Sequence, residues 1–98
     1  MSRIVVRDDA AQELAAARDF YDANRPGYGS LFADAVDHAF GLLVEYPLIG
    51  SEVRPRVRRL ALHGWPYAII YFVRDDAVVI IAIAHTSRRP NYWRTRLP

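Results

Sequence analysis

The stretch Tyr67–Ala84, "YAIIYFVRDDAVVIIAIA", decides the architecture. Two apolar, β-branched runs flank a charged break at Arg74–Asp76. Runs of this length bounded by turn residues predict strands, here Tyr67–Val73 and Ala77–Ala84, and so short a break joins them as an antiparallel hairpin. Successive strand side chains point to opposite faces. Tyr67, Ile69, Tyr71 and Val73 therefore share one face, with Ala68, Ile70 and Phe72 on the other. The run Ala77–Ala84 is apolar on both. An antiparallel sheet with one wet face alternates apolar and polar residues. This one does not, so both of its faces need cover.

Outward from the hairpin, Arg56–Leu62 predicts a further strand, with a turn at His63-Gly64. "YPLIGSEVRP", Tyr46–Pro55, reads as a loop. A helix over Ser30–Glu45 buries Phe32, Ala35, Val36, Ala39 and Leu43 and stops before Pro47, because the residue preceding proline avoids the α region. "NRPGYG", Asn24–Gly29, separates it from a first helix. That helix starts at Asp8 or Asp9, where Asp9 and Gln12 have capping-box spacing. Its buried face is Ala10, Leu14, Ala17 and Tyr21, with Glu13, Asp19 and Asp22 pointing away. "RIVVR", Arg3–Arg7, is a short strand. The expected fold class is α+β: an N-terminal strand, a helical hairpin, then an antiparallel three-stranded meander, in one domain over residues 1–98. One hairpin covers one sheet face. The other must take the C-terminal tail and arginine stems, a second copy, or a partner; a dedicated protein partner is the expectation.

Composition narrows the function classes. The 98 residues contain no cysteine, which removes disulfides and thiolate metal sites. Residues 1–8 are too short and polar for a signal peptide, and Ala77–Ala84 is far below the ~20 residues of a membrane span, so a cytoplasmic setting with no membrane partner is expected. The net charge of +2 hides a split. Residues 1–52 hold 4 Arg against 9 Asp or Glu, and residues 53–98 hold 9 Arg against 2 Asp. The basic half should attract an acidic partner or a nucleic acid. All thirteen basic residues are arginine, a pattern to which coding bias also contributes.

No phosphate-binding glycine loop is present, and His38, His63 and His85 lack metal-ligand spacing, so no metal and no cofactor are expected. Ser51 and Ser87 lack a nucleophile elbow. What remains is "RPRVRRLAL", Arg54–Leu62, where Arg56 and Arg58 share one strand face as either a basic patch or a solvated edge, and "AHTSRRPNYW", Ala84–Trp93. His85 with Arg88, Arg89 and Tyr92 would suit metal-free RNA cleavage, the histidine moving protons and the arginines stabilising the phosphorane. A strand-end histidine held by hydrogen bonds is the commoner arrangement. Tyr92 and Trp93 more often pack a tail onto a sheet than stack on bases.

The segments "FYDANRPGYGSLFADAV" (20–36), "YPLIG" (46–50), "VRRLALHGWPYAIIYFV" (57–73) and "IAIAHTSRRPNYWRTR" (81–96) together resemble the RelE/ParE superfamily of bacterial type II toxins, often labelled plasmid-stabilisation proteins. The resemblance runs through nearly the whole chain. It implies a helical hairpin against an antiparallel sheet, and neutralisation by a cognate antitoxin, ParD-like or related, in a hetero-oligomer. The antitoxin's C-terminal part would fold onto the toxin and cover the open sheet face. Arg56, Arg58, Ala68, Ile70 and Phe72 are the expected antitoxin contact.

The resemblance also frames the target. RelE-like members cleave mRNA in the ribosome with basic residues on the sheet and near the last strand, whereas ParE-like members are associated with DNA gyrase inhibition. Ala68 stands where RelE-type nucleases tend to carry arginine, Ser87 at the second arginine position, and Trp93 where a catalytic tyrosine would fall. These departures favour a ParE-like toxin. Arg88, Arg89, Tyr92, Trp93, Arg94 and Arg96 are then its expected target-binding residues. The alternatives are a RelE-like endonuclease using His85, Arg88, Arg89 and Tyr92, and a family member that only binds its antitoxin.

Overall fold

A computed structural model describes residues 2–98. The chain runs β1 (Arg3–Val6), α1 (Asp8–Asn24), α2 (Tyr28–Glu45), β2 (Ser51–Arg54), β3 (Val57–Ala61), β4 (Tyr67–Arg74) and β5 (Ala77–His85), and ends in a 3-10 helix at Tyr92–Arg96. One five-stranded sheet has the order β1-β5-β4-β3-β2. β1 pairs parallel to β5, and the other neighbours are antiparallel. The α+β class is as expected.

Details differ. The segment expected as a loop contains β2, an edge strand whose residues are exposed or half-buried. With no buried face it has no apolar alternation to betray it. Arg56 lies outside β3, in the β2–β3 turn with φ 66°. The capping box does not form: Arg7 is the N-cap, and Asp8 and Asp9 sit in the first turn, where the helix dipole favours negative charge. α2 begins at Tyr28, after Gly27 at φ 89°, a conformation open to glycine.

The two strand faces fill two cores. On the helix side, Phe32, Val36 and Leu43 of α2 and Ala10 and Ala17 of α1 pack on Ile69, Tyr71, Val78, Ile80 and Ile83. The alanines let α1 lie close to the sheet. On the other side Ile70, Phe72, Val79, Ile81 and Ala82 pack beneath Trp93, with Tyr92 and Leu97 beside it. A bulge makes this possible. Ile70 pairs with Ala82 but Tyr71 with Ile80, leaving Ile81 extra on β5 and reversing the alternation beyond it. The chain's own tail thus supplies cover for the second face, with Trp93 only 4% exposed.

Candidate functional site

The tail is fastened where a strand runs out. β1 ends opposite Ile80, and the Arg7 N–H donates to the Ile80 carbonyl at 3.0 Å. Past that point side chains serve the edge of β5. Arg96 Nη1 donates to the Ile81 carbonyl at 2.9 Å, and Glu13 Oε1 accepts the Ile83 N–H at 3.0 Å. Glu13 also accepts the Tyr92 hydroxyl at 2.6 Å and holds Arg96 through both oxygens. The Arg88 guanidinium lies 3.9 Å over the Tyr92 ring. Burial, then the hydrogen bond to Glu13 and its charge, pushes the Tyr92 hydroxyl well above the ordinary phenol range. The hydrogen bond to Glu13 raises Arg96 further, against its own burial. Glu13, expected to point away from the fold, is therefore the anchor of the tail. Its helical spacing placed it off the buried stripe of Ala10, Leu14, Ala17 and Tyr21, and nothing local to α1 shows that residues 81–96 arrive there.

His85 ends β5 between two depressions. One, of about 240 Å³, has Ala68, Ile70 and Ala84 at the sheet, Val53 and Arg59 to one side, and Arg88, Arg89 and Trp93 to the other. The second, of about 280 Å³, is lined by Glu13, Ala16, Phe20, Tyr67 and Arg88. His85 Nδ1 accepts the Ser87 N–H at 2.9 Å and lies 2.8 Å from Ser87 Oγ. An N–H donor there assigns the ring hydrogen of the neutral imidazole to Nε2. The Tyr67 ring meets the imidazole edge-on at 4.9 Å.

The structure brings His85, Arg88, Arg89 and Tyr92 to one groove. The Tyr92 hydroxyl, however, is engaged by Glu13. Of the expected target-binding residues, Trp93 is buried and Arg96 is held by Glu13 and, at 3.6 Å, Asp9. Arg89 and Arg94 are exposed, and among the described residues their guanidinium groups make no hydrogen bond or ion pair. The expected antitoxin residues divide. Ala68 and Ile70 floor the groove beside His85, while Arg56 and Phe72 line another depression of about 480 Å³ near Leu97. Arg58 faces neither: its Nη1 donates to the carbonyls of Leu48 (3.1 Å) and Gly50 (2.7 Å).

Residues 4–90 match the family described as the ParE toxin of the type II toxin–antitoxin system parDE. The chain belongs to the ParE toxin family. Among curated proteins it is similar to Toxin RelE2 of Caulobacter vibrioides, at 32% identity over 88 residues, 90% of this chain and 99% of that one. Its fold is that of a solved structure from the chromosomal ParDE TA system of P. aeruginosa, with a TM-score of 0.76, 24% identity, and 87% of this chain and 96% of that one covered. The two-helix hairpin on a sheet is thus the fold of ParE-family toxins, and the tail fastened by Glu13 lies at its last strand. Among the described residues, no helix is long and apolar enough to cross a membrane.

Proposed function

We propose that this ParE-family toxin acts by binding, with DNA gyrase as its target, and that a cognate ParD-like antitoxin neutralises it. The observation that carries the reading is what the groove's polar atoms are doing. The Tyr92 hydroxyl is held by Glu13 and the floor at Ala68 and Ile70 has no functional group, which leaves His85, through Nε2, as the one general acid–base candidate in the groove. General acid–base groups contribute about 10²–10⁴-fold only when free to exchange a proton with the reacting atom. Arg89 and Arg94, exposed on a fastened tail, suit contact with a large target instead. The kinship with a ParDE system supports the antitoxin partner, as does the basic half of the chain.

One observation favours a second reading. His85, Arg88 and Arg89 share one groove, as a RelE-like ribosome-dependent mRNA endonuclease would require. A supercoiling assay with purified gyrase, run beside translation on purified ribosomes, tests the two. Gyrase inhibition with intact mRNA is expected. Codon-positioned cuts in ribosome-bound mRNA, with gyrase unaffected, would establish the second reading.

A further inference from the structure

The side of the sheet that carries the tail is rich in arginine and nearly free of acid. Arg59 and Arg89 border the groove beside His85, and Arg56 and Arg74 border the depression of about 480 Å³ near Leu97. Both hollows lie against the cluster of Ile70, Phe72 and Trp93, so the four arginines share one face, and Arg94 is exposed on the tail packed there. Among the described residues the ion pairs engage Arg3, Arg88 and Arg96, and none of these five. Of the two acidic residues after position 52, Asp76 is held by Arg3 and Asp75 lies in the β4–β5 turn. Arg56 stands at φ 66°, a left-handed conformation that costs an arginine more than a glycine, so the turn accepts strain at a residue that sets a charge on this face.

What lies between the charges selects the partner. A protein interface has an apolar centre. Here the tail already covers the apolar centre, with Trp93 4% exposed, and Val53 alone among the large exposed apolar side chains lines either hollow. Single-stranded nucleic acid is held by bases stacked on open aromatic rings. On this face the rings are taken: Arg88 lies 3.9 Å over Tyr92, Arg74 lies 5.5 Å over Phe72, and Trp93 is buried. Arginines without open rings fit the phosphate backbone of a duplex, which a guanidinium grips through paired N–H donors. β4 runs from Tyr67, paired with His85, to Arg74. At about 3.3 Å per residue that row spans roughly 23 Å, or about seven base pairs of duplex. We propose that Arg56, Arg59, Arg74, Arg89 and Arg94 form a surface that binds the phosphate backbone of duplex DNA without regard to sequence. That this duplex is the segment held by gyrase rests on the gyrase reading and deepens it: the toxin touches the enzyme and its DNA together.

The test uses the full chain with a short labelled DNA duplex, a single-stranded RNA of the same length and polyglutamate, binding being followed by anisotropy across salt concentration. The parent should bind the duplex with a dissociation constant of about 10⁻⁶–10⁻⁴ M near physiological salt and a log–log salt slope of about −4 to −5, as five phosphate contacts require. Arg56→Gln with Arg74→Gln, away from the His85 groove, should melt like the parent, bind about tenfold or more weakly at low salt and lose about two units of slope. Arg56→Lys with Arg74→Lys keeps the charges and should keep the slope. A flat salt dependence, or a glutamine double variant with the parent's affinity, overturns the surface. Tighter binding of the RNA or of polyglutamate than of the duplex also overturns it, in favour of a single strand or an acidic polypeptide. Supercoiling by purified gyrase separates the two claims. If the parent inhibits gyrase but does not bind the duplex, the DNA surface falls and the gyrase reading stands. If it binds the duplex as expected and leaves gyrase active, the surface stands and the gyrase reading falls. Where both hold, the glutamine double variant should inhibit gyrase about tenfold more weakly, and equal inhibition overturns the claim that the duplex is the one gyrase holds.

Discussion

Glu13 and Arg96, 83 residues apart, form a two-pronged ion pair of 2.8 and 3.1 Å that closes the sheet edge left open where β1 ends. Each partner also serves the β5 backbone, Glu13 at Ile83 and Arg96 at Ile81. Both side chains are largely buried, at 15% and 18% exposure. Removing Glu13 leaves the Arg96 guanidinium only the looser pair with Asp9 at 3.6 Å and takes the acceptor from the Ile83 N–H. Glu13→Ala should therefore destabilise the fold by about 2–3 kcal/mol. Glu13→Gln should cost less, because its amide oxygen still accepts the Ile83 N–H. Urea denaturation of the three proteins measures this, and equal midpoints would show that the clip contributes no net stability.

The same clip makes stability fall in alkali. The folded state holds the Tyr92 hydroxyl protonated beyond the ordinary phenol range, through burial and the Glu13 carboxylate. Above about pH 10 the unfolded chain releases that proton while the folded chain retains it, so the unfolded state binds fewer protons and stability declines with rising pH. The contribution is fully present below the ordinary phenol pKa and is lost as pH rises toward the raised one. Tyr71, raised chiefly by burial, adds to the same slope. Tyr92→Phe should flatten the decline, read from denaturant midpoints across the alkaline range. An unchanged slope would mean that Tyr92 ionises freely in the folded protein.

How much of this is legible in the sequence depends on how local the cause is. β4, β5 and α2 declare themselves through periodic apolar residues, and the two-sided sheet correctly signals a need for cover on both faces. Its supplier is not legible. Trp93 fills the second face, as a tail-packing aromatic more often does, and is not free for the target-binding role that the family resemblance gave it. β2 is invisible because an exposed edge strand of four residues has no buried side to pattern. The groove residues His85, Arg88 and Arg89 are legible as a cluster, whereas Glu13 needs the tertiary crossing of α1 and the tail. Trp93→Ala should cost about 3–5 kcal/mol and bare the second face, which dye binding to exposed apolar surface would report. A wild-type melting curve with no added dye binding would mean that the tail does not cover that face.

Gly50 tests how tightly the loop before β2 is held, its N–H donating at 2.9 Å to the Tyr71 hydroxyl and its carbonyl accepting from Arg58. A methyl group there meets the Tyr71 hydroxyl at 2.7 Å and the Arg59 carbonyl at 2.9 Å, and neither the buried ring nor the β3 backbone has room to retreat. Overpacking of this kind costs about 1–3 kcal/mol. Gly50→Ala should lower stability by that amount and speed hydrogen exchange at residues 49–51, with little effect at Ile83. By contrast, Gly41 has open space around a built Cβ, so Gly41→Ala, in the middle of α2, should stabilise by about 0.5–1 kcal/mol. Equal effects at the two positions would remove the argument for a close-packed loop.

The last prediction separates binding from catalysis at the tail. Arg89 and Arg94 are exposed without a partner among the described residues, so reversing both charges should leave the fold intact. If they face the target, Arg89→Glu with Arg94→Glu should weaken gyrase inhibition about tenfold or more, chiefly through a slower, salt-sensitive association. His85 behaves differently in the two mechanisms. In a nuclease its loss removes a proton-transfer group, and mRNA cleavage falls by about 10²–10⁴-fold. In a binding toxin it removes only a hydrogen bond to Ser87 and an edge contact with Tyr67, and inhibition should change by less than about tenfold. Deleting residues 92–98 would confuse the comparison, because it strips Trp93 from the sheet and two of Glu13's partners at once. Point substitutions at Arg89, Arg94 and His85, each assayed for growth inhibition, gyrase supercoiling and ribosomal mRNA cleavage, keep the scaffold constant. A His85→Ala protein that loses toxicity while the double arginine variant keeps it would reverse the assignment, because only proton transfer at the groove, and not charge at the tail, accounts for that pair of results.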